Sequence, residues 1–186
     1  MEIAENINRK VDEIEEYISE IVTASNEDFL HFEVKNGEFY LADALEKIRE
    51  YYLEKMALNQ IAFYLGEYRN CLVFGDEDRF IEVVQNVIEN AIKYGDGKKI
   101  WLEMEKKDEE YEIRILNTGC QLEEKELPHI FDSFFRGSNV EKNKGSGLGL
   151  YICRELMHLM EGEIMAGITK VEEERVMLVR IILHLV

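Results

Sequence analysis

The 186-residue chain contains no apolar run approaching the roughly 18–20 residues that a membrane-crossing helix needs. Its first residues carry no secretory pattern. It has three cysteines, Cys71, Cys120 and Cys153, an odd number set far apart with no CxxC pair. That spacing argues against a disulfide framework and a cysteine zinc site, and a reducing cytoplasmic setting is expected. Basic residues are also scarce: 22 Lys and Arg stand against 39 Asp and Glu, a formal charge of −17. Such a chain repels phosphate backbones and anionic lipid, so neither nucleic acid nor a membrane surface is expected as a partner. A polyanionic ligand would have to be held by local donors or a metal, against the field of the whole chain. Internal repeats and low-complexity tracts are absent too.

What remains is the composition of a folded protein, 46% hydrophobic and 10% aromatic, long enough for one core and an appendage. The appendage is residues 1 to about 25. Ile3, Ile7, Val11, Ile14, Ile18 and Ile21 are spaced 4, 4, 3, 4 and 3, a heptad-like seam. It fits a helix that pairs with others, and equally a helix folded onto its own domain. Beyond Phe29 the pattern predicts a strand near 39–41, a helix through Leu45, Ile48, Tyr52 and Met56, and strands at 61–65 and 71–74. Asp76 is a good N-cap for a helix to about Tyr94, ended by Gly95-Asp-Gly97. Strands near 99–105 and 111–117, a polar stretch over 118–146, a helix over 148–161 and strands near 163–169 and 175–185 complete the chain. Interleaved elements with short turns predict an α+β fold, a two-layer sandwich of one mixed sheet with helices on one face.

Two segments carry chemistry. On the helix after Asp76, at about 100° per residue, Phe80, Val84, Val87, Ile88 and Ala91 share the core face. Asn86, Asn90 and Lys93 form a second stripe bordering it, with Glu82, Gln85 and Glu89 on the solvated side. Asparagine disfavours helix interiors, because its amide competes for backbone bonds. Its oxygen can coordinate Mg²⁺, and Lys93 can meet phosphate. The same stripe also fits a plain polar border. The second segment, Gly145-Ser-Gly-Leu-Gly149, opens the next helix, whose orphan N–H groups favour an anion. Glycines there let a phosphate approach the backbone, and alone they equally fit a flexible turn.

Together, the order Asn86-xxx-Asn90-xx-Lys93-Tyr94, then Leu116-Asn-Thr-Gly119, then Ile130-Phe-Asp-Ser-Phe-Phe-Arg136, then Gly145-Ser-Gly-Leu-Gly-Leu150 resembles the N, G1, F and G2 boxes of sensor histidine kinases. These lie in the ATP-binding domain of that family, of GHKL or Bergerat type, and the resemblance covers about 39–186. It implies ATP and Mg²⁺ as ligands, with Asn90 holding the metal, Asn86 supporting metal or phosphates and Lys93 on phosphate. Tyr94 is expected near adenine or ribose, Arg136 on the transferring phosphoryl group, and Asn117, Gly119 and Phe131 around the nucleotide. Gly145, Ser146, Gly147, Leu148, Gly149 and Leu150 are expected to form the phosphate hook, with Lys142 and Lys144 as weaker lid contacts. Related gyrase-like and chaperone-like ATPases carry glutamate at the position of Asn86, and an amide there cannot act as general base.

Asn117 stands where the family's aspartate accepts a bond from the adenine amine, and Gln121 replaces a second glycine. A neutral amide that flips should weaken discrimination against guanine. His31, His129, His158 and His184 all lack the context of a phosphoacceptor. The resemblance therefore implies that residues 1–28 are the tail of a dimerisation helix, that residues 29–186 are the catalytic domain, and that the acceptor histidine lies upstream. The implied partners are a response regulator and the protein's own dimerisation helices in a homodimer, the implied setting cytoplasmic beneath a membrane-anchored parent. An anti-sigma-type serine kinase and a non-catalytic nucleotide-gated module are the competing readings.

Overall fold

The computed structural model describes residues 33–137 and 146–186. The seam over residues 1–28, His31, Lys142, Lys144 and Gly145 lie outside the described residues. The order is β1 (Gly37–Tyr40), α1 (Leu41–Leu58), β2 (Ala62–Leu65), β3 (Leu72–Gly75), α2 (Glu77–Tyr94), β4 (Lys99–Lys107) and β5 (Glu110–Thr118). A 3₁₀ helix (Glu124–His129), α3 (Gly149–Leu159), β6 (Glu163–Val171) and β7 (Glu174–His184) follow. Five strands form one mixed sheet in the order β2-β4-β5-β7-β6, with β2 parallel to β4 and the other pairs antiparallel. β1 and β3 pair separately and meet the end of β7 through a Val73–Leu185 bridge.

Period-two alternation explains the layers. Along β5, Tyr111, Ile113 and Ile115 enter the core, whereas Arg114 points to the opposite face. Ile100, Leu102, Val179 and Ile181 join them from β4 and β7. The helices cover this face with Leu45, Ile48 and Tyr52 of α1, Phe80, Val84 and Ile88 of α2, and Leu156 of α3, all buried. This is the two-layer α+β sandwich expected from the sequence.

Local chemistry sets the elements that matter for the site. Asp76 caps α2, its Oδ1 accepting from the N–H groups of Asp78 (3.1 Å) and Arg79 (3.2 Å). Phe80, fully buried, packs its ring 5.7 Å from Phe39 and fixes the start of the helix against β1. Inside the polar stretch over 118–146, Glu123 and Glu126 cap the 3₁₀ helix reciprocally. Pro128 lies further along the same 3₁₀ helix.

The sheet's other face is stapled by charge. Arg180 donates from Nε to Glu112 Oε1 (2.8 Å) and from Nη2 to Oε2 (3.2 Å), and Lys107 also donates to Oε2. Glu112 is almost completely buried, and Arg180 with Lys107 holds its carboxyl down at about 2, against an ordinary value of 4.5. A carboxyl depressed on folding stabilises fully above its unfolded value, and that contribution fades as pH falls toward the folded one. Glu112→Gln should therefore lower unfolding free energy by about 2–3 kcal/mol at neutral pH. Urea unfolding should show the gap between the two proteins closing as pH drops from about 5 toward 2.5; a gap independent of pH would contradict this.

Candidate nucleotide site

The polar edge of α2 faces the start of α3 across a cavity of ≈ 510 Å³, within the range of small-ligand sites. Its floor is made by two cross-strand pairs, Ile115 with Val179 and Asn117 with Met177. One wall is α2, through Asn86, Glu89, Asn90, Lys93 and Tyr94. Ile130, Phe135 and Arg136 line the cavity from the segment following the 3₁₀ helix, and Ser146, Gly147, Gly149 and Leu150 from the glycine segment.

The glycines have separate reasons. A Cβ on Gly149 would sit 3.4 Å from Asn86 Oδ1 and 3.9 Å from Asn90 Nδ2, so the backbone of α3 opens directly over the two amides. Gly147 has φ +78°, and a Cβ there would lie 2.5 Å from the Phe135 carbonyl oxygen and 2.8 Å from the Phe134 carbonyl carbon. That position accepts only glycine. No side chain caps α3, and its first turn holds no acidic residue, whereas α1 has Asp43 and α2 has Glu77 and Asp78 there. The uncapped first turn is suited to an external anion.

Around this centre the chain is tied down. Glu89 accepts from Tyr52 Oη (2.7 Å) and Lys55 Nζ (2.5 Å), linking the α2 wall to α1. Burial, then the Glu89 carboxylate, pushes the Tyr52 hydroxyl far above its ordinary range, so it remains a donor. Arg175 donates to the carbonyls of Cys120 (3.0 Å) and Leu122 (2.6 Å), fixing the segment that carries Gln121 beside the cavity. Lys93 Nζ lies 5.6 Å from the centre of the Tyr94 ring.

Of the residues singled out from the sequence, Asn86, Asn90, Lys93, Tyr94, Asn117, Arg136, Ser146, Gly147, Gly149 and Leu150 line the cavity. Gly119, Phe131 and Leu148 are not among the lining residues. Gly119, at φ +79°, is pressed against Asp96, where a Cβ would lie 2.3 Å from the Asp96 nitrogen. Phe131 is buried, as is Leu148, whose carbonyl accepts the first bond of α3 from Ile152 (2.9 Å). Sequence reasoning missed Ile115, Met177 and Val179 of the floor, and Glu89, which was placed on the solvated side. Glu89 is half exposed but only about 60° around the helix from Asn86, close enough to border the cavity.

Similarity to known proteins agrees with this geometry. Residues 75–185 match the family described as histidine kinase-, DNA gyrase B-, and HSP90-like ATPase, and the chain belongs to that family. It is 32% identical over 151 residues to the sensor histidine kinase RcsC of Escherichia coli (strain K12), covering 79% of this chain and 16% of RcsC. It is 38% identical over 92 residues to the signal transduction histidine-protein kinase AfsQ2 of Streptomyces coelicolor, covering 49% of this chain and 17% of AfsQ2. Among solved structures, the catalytic domain of the histidine kinase ThkA is 26% identical with a TM-score of 0.65, covering 79% of this chain and 97% of that one. The chain thus spans about a sixth of the length of RcsC and AfsQ2.

Gly147→Ala and Gly149→Ala should differ sharply. The first forces a side chain into a carbonyl and should weaken adenine-nucleotide binding at least ~10-fold. The second adds a Cβ at ordinary contact distance and should change binding by less than about 3-fold. Calorimetric titration of both variants tests this, and equal losses would contradict it.

Proposed function

We propose that this chain is the ATP-binding catalytic domain of a two-component sensor histidine kinase, which moves the γ-phosphoryl group of ATP onto a histidine of a dimerisation helix. The observation that carries the reading is the meeting of Asn86, Asn90 and Lys93 with the uncapped start of α3 in one cavity. Family membership and sensor-kinase relatives support it.

The phosphates lie between the α2 edge and α3, held by N–H groups of the first turn of α3, Lys93 and Arg136. Two amides without a hydrogen-bonding partner among the described residues, Asn86 and Asn90, suit a hard cation that keeps waters and phosphate oxygens as its other ligands. Asn90 would hold Mg²⁺, which neutralises charge on the leaving oxygens. The acceptor imidazole nitrogen attacks the γ-phosphorus, the bond to the β,γ-bridging oxygen breaks, and ADP leaves with the electron pair. Asn86, an amide, takes no proton from water, so ATP is kept for the histidine rather than hydrolysed. Among the described residues His129, His158 and His184 are exposed and none lines the cavity; on this reading the acceptor is a histidine in another part of the protein.

The phosphohistidine passes its phosphoryl group to a response regulator, and the acceptor helices belong to a homodimer in which residues 1–28 form part of the dimerisation element. ThkA has been solved in complex with the response regulator protein TrrA, a fold likeness at 24% identity and TM-score 0.70. Among the described residues no helix is long and apolar enough to cross a membrane. The setting proposed from the sensor-kinase relatives is the cytoplasm, beneath a membrane-anchored parent.

The chain should bind ATP more tightly with Mg²⁺ than without, and Asn90→Ala should abolish most of that difference, at least ~10-fold. Supplied with an acceptor helix and labelled ATP, it should transfer acid-labile label. Acid-stable label would point to a serine kinase, and ATP binding without any transfer to an interaction module.

A further inference from the structure

One end of the cavity floor is Asn117, a buried side chain only 8% exposed. Its Nδ2 donates to the carbonyl of Thr118 (3.0 Å), which also accepts from the Asp96 N–H (3.2 Å). The Thr118 side chain is anchored as well, donating to Asp96 Oδ1 and accepting from the Lys99 N–H (3.2 Å). The carbonyl facing the amide is therefore fixed from both strands and from the end of α2. Behind the amide lies Gly95. A Cβ on Gly95 would sit 2.8 Å from Asn117 Nδ2, 2.9 Å from the Thr118 oxygen and 2.5 Å from the Ala91 oxygen. Only a residue without a side chain leaves room for the NH₂ group in this pose.

We propose that the chain distinguishes 6-amino from 6-oxo purine nucleotides through a clamp behind Asn117, the Thr118 carbonyl and Gly95, which fixes the amide with its oxygen toward the bound base. This deepens the nucleotide reading of the cavity and rests on it. Turning the amide over would bring its oxygen to the Thr118 oxygen, acceptor against acceptor, and strand the donor in a buried position. The base end consequently offers an acceptor alone, which matches an exocyclic amine and opposes a carbonyl oxygen. The weak guanine discrimination expected from a freely flipping amide does not follow once the clamp is present. Aspartate at 117 would set a carboxylate oxygen where Nδ2 now meets the Thr118 carbonyl, so the family's usual residue is disfavoured in this chain. Gly95 and Thr118 act here as positioning residues, since neither is among the cavity-lining residues.

The test compares Mg²⁺·ATP with Mg²⁺·inosine triphosphate, which differs at the six position and its adjoining ring nitrogen, by calorimetric titration of the full chain. Wild type should bind ATP at least ~30-fold more tightly. Gly95→Ala should compress that ratio below about 5-fold, a readout that a purely structural role would leave unchanged. Should Gly95→Ala not fold, Asn117→Asp decides: it should bind ATP at least ~10-fold more weakly than wild type. Wild type binding both nucleotides within about 3-fold would overturn the clamp alone, as would an Asn117→Asp protein that binds ATP as tightly as wild type. Binding of neither nucleotide at millimolar concentration would remove the clamp together with the site.

Discussion

The close approach of Gly149 to Asn86 and Asn90 is the contact on which the rest depends. It brings the start of one helix over the polar edge of another, with room at 149 for a Cβ at ordinary contact distance from Asn86. The core makes the approach possible. Phe80, Val84 and Ile88 seat α2 on the sheet, Leu156 and Met157 seat α3 beside it, and the thiol of Cys153, buried between them, reaches the carbonyl of Val83. Two buried faces set the distance between two polar ones.

Electrostatics explains how so acidic a chain can hold a polyphosphate. Beside a formal charge of −17, α1 and α2 carry acidic residues in their first turns, and α3 has none there. Its N–H groups keep their partial positive charge for a ligand. Among the described residues Lys93 and Arg136 are the cationic side chains lining the cavity, and Lys55 of α1 offsets Glu89 of the α2 wall. Local dipoles and a few cations thus outweigh the global field at short range.

Much of this could be read from the sequence where a signal is local. The caps at Asp76 and Gly95, the apolar face of α2 and the amide stripe beside it follow from helical periodicity, and the strands from their alternation. Ile115, Met177 and Val179 of the floor were out of reach because Asn117 meets Met177, and Ile115 meets Val179, only through the β5–β7 register. The packing of Gly119 on Asp96 and the burial of Phe131 and Leu148 likewise rest on contacts that local sequence does not show. Asn117 shows the limit most clearly. Its identity was visible, but the direction of its amide depends on the Thr118 carbonyl and on the space left by Gly95.

The central claim is that one ligand engages the edge of α2 and the beginning of α3 at once. The most direct measurement is an NMR titration with Mg²⁺·ATP, following the side-chain amides of Asn86 and Asn90 together with the backbone amides of Gly147 to Leu150. The account predicts that both groups of signals move with a single dissociation constant. Movement of only one group, or two clearly different constants, would contradict it.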